Sequence, residues 1–127
     1  MRRTDQRRAA VFALYQRDVT GRPLAELVAA AATPFTRELV DGVDAEHEEL
    51  DALIERHARD WSVDRIAPLE RNIMRVALHE LLHRDDIPAE VAIDEAIESA
   101  KELCSAEAPA FINGILGSVQ RDRTAPA

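Results

Sequence analysis

Residues 69–83 read LERNIMRVALHELLH and predict a helix at the centre of the fold. Apolar side chains recur along this segment at the 3.6-residue period of an α-helix. They are Leu69, Ile73, Val76, Ala77, Leu78, Leu81 and Leu82. This stripe is wider than one face, and a helix that is apolar on more than one side is buried. We therefore expect the other elements to pack around this segment.

Helical periodicity continues on both sides of the central segment. Upstream it predicts helices over residues 5–19, 24–32 and 34–57, with Thr4 as an N-cap and Gly42 as a soft point in the third. Downstream it predicts a helix over residues 89–104 and another that begins near Pro109. Residues 61–68 are a connector with room for one helical turn, and residues 121–127 are a frayed tail. The sequence predicts an all-α fold of six to seven helices in one domain, residues 1–127.

The composition excludes several classes of protein. A chain of 127 residues has the length of one domain. No apolar run approaches the roughly 20 residues of a membrane span, so we expect no membrane association. The charged N-terminus lacks the apolar stretch of a secretory signal. Cys104 is the only cysteine, which is typical of a protein of the reducing cytoplasm.

The charge is unevenly distributed along the chain. The net charge of -8 disfavours non-specific binding to nucleic acid. However, residues 1–22 carry +4 and the remaining residues carry -12. Four arginines fall within a basic arm, residues 1–8, and arginine pairs with phosphates and stacks on bases. The arm therefore indicates either local RNA binding or an exposed, charged helix start.

His79-Glu80-x-x-His83 has the H-E-x-x-H spacing of zinc peptidases. On a helix this spacing places both imidazoles on one face, with the glutamate as the general base. A catalytic zinc also needs a third protein ligand, for which Glu98 or Glu102 is a candidate. The alternative is a coincidence at a helix end, and we expect neither metal nor cofactor.

Three segments together resemble one protein family. They are ERNIMRVALHEL at residues 70–81, IPAEVAIDEAIESAK at residues 87–101 and FINGIL at residues 111–116. In order and spacing they are similar to the signature of the NusB family of bacterial transcription antitermination factors. Asp94 departs from this pattern, because the family has an asparagine there.

The resemblance implies a fold and a function. The family fold is two perpendicular helical bundles. Its members bind the boxA element of ribosomal RNA leaders as single-stranded RNA, together with a small-subunit ribosomal protein acting as NusE. The complex acts on elongating RNA polymerase by binding and not by catalysis. A dimeric structural module, in which the arm mediates self-association as a homodimer, remains an alternative.

The resemblance also assigns roles to individual residues. Arg2, Arg3, Arg7 and Arg8 would contact RNA phosphates. Tyr15 and Phe111 would contact bases, and Glu107 would lie near the RNA. Glu70, Arg71 and Glu80 would face the ribosomal-protein partner. For Glu80 a core ion pair, with an arginine such as Arg75, is an equal alternative. Ile73, Ala77, Ala96, Ala100, Ile112 and Gly114 would be packing residues.

Overall fold

The computed structural model describes residues 1–59 and 61–125. Within them lie seven α-helices, one 3-10 turn and no strand. The helices are α1 (Arg3–Thr20), α2 (Leu24–Leu27), α3 (Pro34–Ala45), α4 (His47–His57), α5 (Pro68–His83), α6 (Ala89–Leu103) and α7 (Ala108–Thr124), with the 3-10 turn at Val63–Arg65. The all-α prediction is confirmed.

Helix α5 is the centre of the molecule, as its apolar pattern predicts. It packs against α1 and α3 on one side and against α4, α6 and α7 on the other. Helices α1 to α3 form one group around it, and α4, α6 and α7 form a second. Ten consecutive residues of α5, from Asn72 to Leu81, are buried. Among the largest fully buried side chains are Leu14, Leu39, Leu50, Met74, Leu78 and Leu116.

Four predicted boundaries are wrong. Helix α1 begins at Arg3, before the predicted N-cap Thr4, whose hydroxyl donates to Glu95 of α6 instead. Helix α2 ends at Leu27, and the carbonyl oxygens of Ala29, Ala30 and Ala32 beyond it accept hydrogen bonds from the Arg37 guanidinium. The predicted helix over residues 34–57 breaks at Glu46, whose side chain faces two histidines of α5. The predicted tail is helical as far as Thr124, while residues 126–127 lie outside the described residues.

Gly42 allows α3 to approach α5 closely. A Cβ built on Gly42 would lie 2.7 Å from both ring nitrogens of His79, well inside van der Waals contact. The His79 ring is buried between Glu38 on α3 and Glu46 at the helix break. The residue predicted to be a soft point is therefore a packing position.

Candidate nucleic-acid interface

Two arginines of the basic arm are exposed at the start of α1. The Arg2 side chain is 81% exposed and lies 3.4 Å from Asp5, a weak surface pair. The Arg3 guanidinium lies over the Phe35 ring, 4.1 Å from its centroid, and is held there by a cation–π contact. Both guanidinium groups are accessible to a phosphate.

Arg7 is not accessible, which corrects its predicted role as a phosphate ligand. It is buried, and its Nε and Nη2 donate to the two carboxylate oxygens of Glu80 at 2.7 and 3.0 Å. A signal for this burial exists in the sequence, since Arg7 precedes the core residues Val11 and Leu14 by four and seven positions. Three arginines of the arm, rather than four, are therefore available to contact phosphates.

The Arg7–Glu80 ion pair decides between the two predicted roles of Glu80, a partner contact and a core ion pair. Glu80 is only 1% exposed, so it does not face a partner protein. Glu80 forms an ion pair in the core, as the second interpretation predicts, but its partner is Arg7 rather than Arg75. Two parallel N–H···O bonds of this kind fix the geometry of both side chains. They tie α1 to α5 in the core.

Arg71 is also engaged inside the protein, which corrects the prediction that it faces a partner. Its Nε donates to Asp18 at 3.0 Å, and its side chain is 14% exposed. Asp18 also accepts from Asn72 and from Arg75, whose other nitrogens bind Asp51. This network, which we call the Asp18 network, joins α1, α4 and α5.

The Asp18 network should make stability depend on pH. Burial pushes the pKa of Asp18 upward, but hydrogen bonds from Asn72 and Arg71 and the charge of Arg75 outweigh it and hold the pKa below 3.8. A folded pKa below the unfolded value means that this stabilisation is present above about pH 4 and is lost as the pH falls through the folded pKa. Urea denaturation between pH 7 and pH 3 should therefore show a steeper acid loss for the native chain than for Asp18→Asn.

The control for this prediction is Asp41→Asn, which removes an exposed carboxylate of α3. It should leave the pH profile of the native chain unchanged. Equal slopes for the native chain and Asp18→Asn would contradict the prediction.

The predicted aromatic and acidic residues meet on another part of the surface. Phe111, Glu107 and Glu70 line a cleft of about 330 Å³, the Glu70 cleft, together with Trp61, Arg65 and Ile66. Burial raises the pKa of Glu70, and burial followed by the Glu70 charge raises the pKa of Cys104 nearby. Residues predicted to contact RNA and a residue predicted to contact the partner therefore lie side by side.

Arg8 connects the arm to this aromatic surface. Its Nη1 donates to Glu102 at 2.7 Å, in the last turn of α6. Four residues separate α6 from α7, whose first turn carries Phe111. Tyr15, half-buried on α1, lies seven positions after Arg8 and therefore on the same face of the helix. Arg8 and Tyr15 thus share one face of α1, and Arg8 contacts the end of α6 that precedes Phe111.

Trp61 was missed by the sequence analysis, which placed it in a connector. It is 49% exposed, and its ring meets Phe111 edge to face with centroids 6.3 Å apart. A ring in a non-helical segment has no periodicity, so no pattern in the sequence shows where it packs. The signal available was its size and rarity in a chain with one tryptophan.

The zinc-peptidase alternative loses its general base. The Glu80 carboxylate is bound by Arg7, while His79 and His83 face Glu46, at 3.0 Å from each ring. Across residues 1–59 and 61–125, no group of three or more histidine, cysteine or acidic side chains is arranged to hold a metal ion. Both imidazole rings instead contact the Glu46 carboxylate at the break between α3 and α4.

Fold and site define an all-helical protein whose candidate site is a binding surface of arginines and aromatic rings. The model of the NusB family matches residues 4–121. Transcription antitermination protein NusB of Myxococcus xanthus is 40% identical, over 93% of each chain. The protein of the same name from Rubrobacter xylanophilus is 40% identical, over 91% of this chain and 88% of its own. This chain belongs to the NusB family.

Solved structures agree with this assignment. NusB of T. maritima superimposes with a TM-score of 0.88 at 32% identity, covering 96% of this chain and 92% of its own. A structure of antitermination factors NusB and NusE in complex with double-stranded RNA superimposes with a TM-score of 0.84 at 26% identity, covering 94% of this chain and 96% of the other. Among the described residues, no helix is long and apolar enough to cross a membrane.

Proposed function

We propose that this protein is a transcription antitermination factor of the cytoplasm that binds the boxA element of ribosomal RNA leaders. It does so together with a small-subunit ribosomal protein acting as NusE, and the complex acts on elongating RNA polymerase. Residues 1–127 act as one domain, by binding and without catalysis. The observation that carries the proposal is the combination of Arg2, Arg3 and Arg8 in the first turns of α1 with the partly exposed Phe111 of α7, in a chain whose remaining residues are acidic.

The arm supplies the contacts to the phosphates. Arg2 and Arg3 project from the start of α1, and Arg8 reaches RNA by exchanging the half-exposed carboxylate of Glu102 for a phosphate. This exchange costs little because an ion pair near the surface contributes at most about 1 kcal/mol. The -12 charge on residues 23–127 repels RNA elsewhere and confines it to this side.

The Glu70 cleft supplies contacts to bases and to the partner. The Phe111 ring offers a face or edge on which a base of single-stranded RNA stacks. Glu107 is exposed, and its carboxylate accepts from the amino groups of bases. Glu70 is half-buried beside it, where a cationic side chain of a basic ribosomal protein would complete its environment.

The salt dependence of RNA binding tests this proposal. Three arginine–phosphate contacts on single-stranded RNA predict a slope of about -2 for log K against log salt concentration. Arg2→Ala combined with Arg3→Ala should reduce this slope to about -0.7, because one contact then remains. The measurement is fluorescence anisotropy with a labelled boxA RNA between about 50 and 300 mM salt, with and without the ribosomal protein.

Arg22→Ala is the matched control for one arm substitution. Arg22 is exposed and pairs with Glu26 at 3.4 Å, the same distance as Arg2 to Asp5, but it follows the opposite end of α1. At 1.5 Å per residue this is about 30 Å from Arg2. Arg22→Ala removes one positive charge, as Arg2→Ala alone does, and should leave the slope unchanged. Absence of salt-dependent binding with the partner present, or preference for double-stranded RNA of the same sequence, would contradict the proposal.

A further inference from the structure

Trp61 and Phe111 form an aromatic pair at the surface, outside the set of fully buried core side chains. The Trp61 ring is half exposed, and Phe111 is only partly buried, although each offers a large apolar surface. On their second side they line another cleft of about 390 Å³, the Gly114 cleft, whose other lining includes Arg59, Gly114 and Arg121. A volume of this order is typical of small-ligand sites.

Gly114 is not a packing residue, which corrects its predicted role. It is exposed in the interior of α7, and a Cβ built on it meets no atom within 4 Å. The preceding Asn113 is exposed as well, so two weak helix formers follow each other without a packing partner. A glycine at such a place leaves the backbone open to close approach by another molecule.

The charges of the two clefts differ. The Glu70 cleft contains Glu70 and Glu107, whereas the described residues lining the Gly114 cleft include no carboxylate. Arg59 and Arg121 lie at its margin, and Asp122 beside it is engaged with His57 at 3.4 Å. Arg59 and Arg121 are the cationic groups that favour an anionic chain on the Gly114 side.

We propose that the Gly114 cleft is a second base-binding site for the same RNA. A nucleobase stacks on Trp61 and Phe111 over the open backbone of Gly114, with Arg59 and Arg121 contacting the adjacent phosphates. This inference rests on the proposed function and extends its RNA surface past Phe111, away from the arm.

The single tryptophan allows a direct test. Titration of the protein with boxA RNA should quench Trp61 emission, and Trp61→Ala should weaken binding by about 5- to 100-fold, the range for loss of one stacking partner. Trp61→Phe should retain most of the affinity. Val91→Ala, which removes an exposed apolar side chain on α6, is the control and should bind as the native chain does.

Gly114→Ala separates a binding role from a structural one. Its methyl group enters open space in the protein, so it should raise the thermal unfolding midpoint, while weakening RNA binding by about 5-fold or more where a base lies against the backbone. Salt-dependent binding by the arm without tryptophan quenching, or full affinity in Trp61→Ala or Gly114→Ala, would overturn the second site and leave the proposed function standing. Absence of any RNA binding would overturn both.

Discussion

Glu80→Ala is expected to destabilise the protein by about 3–5 kcal/mol, the cost of leaving a buried charge without its partner. Arg7 is 7% exposed, and both of its hydrogen bonds to Glu80 would be lost. Its remaining carboxylate neighbour, Glu95, lies 3.9 Å away, too far to replace them. Urea denaturation at pH 7 measures the change directly.

A double substitution tests the physical reason for this loss. Arg7→Leu with Glu80→Leu removes both charges together, and replacement of a buried ion pair by apolar side chains is often neutral or stabilising. The double variant should therefore be several kcal/mol more stable than Glu80→Leu alone, with a coupling energy above about 1 kcal/mol in the cycle completed by Arg7→Leu. Additive effects would show that the pair is not coupled.

The same variants separate a core role for Glu80 from a role in partner binding. The Arg7→Leu, Glu80→Leu chain should keep the affinity of the native chain for the ribosomal protein, because neither side chain reaches the surface. Loss of that affinity in a folded double variant would return Glu80 to the interface. Glu70→Gln provides the contrast, since Glu70 borders an open cleft and should weaken the partner complex.

The architecture was predictable because it depends on periodicity. The stripe from Leu69 to Leu82 identifies α5 as the central helix, and turn residues such as Gly21, which has a φ of 75° at the end of α1, mark helix boundaries. The break at Glu46 was not predictable, since it depends on His79 and His83, more than 30 residues away in the sequence. Periodicity carries no information about such distant pairs.

The candidate site was predictable only in part, for a related reason. Residue type suggested that every arginine of the arm would bind phosphate, but the position of Arg7 on the buried face of α1 assigns it to Glu80. Arg71 is likewise removed from the surface by Asp18. The contact of Trp61 with Phe111 and the open space at Gly114 depend on how the connector packs against α7, which the sequence pattern does not show.

Gly42→Ala is expected to destabilise the protein by about 3 kcal/mol, at the upper end for overpacking. The added methyl group would overlap the His79 ring, which is 2% exposed and cannot rotate into solvent. Displacing the ring breaks its contacts with Glu38 and Glu46, at 2.7 and 3.0 Å. Thermal and urea unfolding should both show the loss, while Gly114→Ala should change stability in the opposite direction.

The sign of the Gly42 substitution should reverse when His79 is removed. In a His79→Ala background the methyl group meets empty space, and alanine is favoured over glycine in a helix by about 1 kcal/mol. Gly42→Ala should therefore stabilise the His79→Ala chain while it destabilises the native chain. The same loss in both backgrounds would mean that the backbone of α3, and not the His79 ring, resists a side chain here. The reversal would show that Gly42 is required for one purpose, to let α3 lie against a histidine held by two carboxylates.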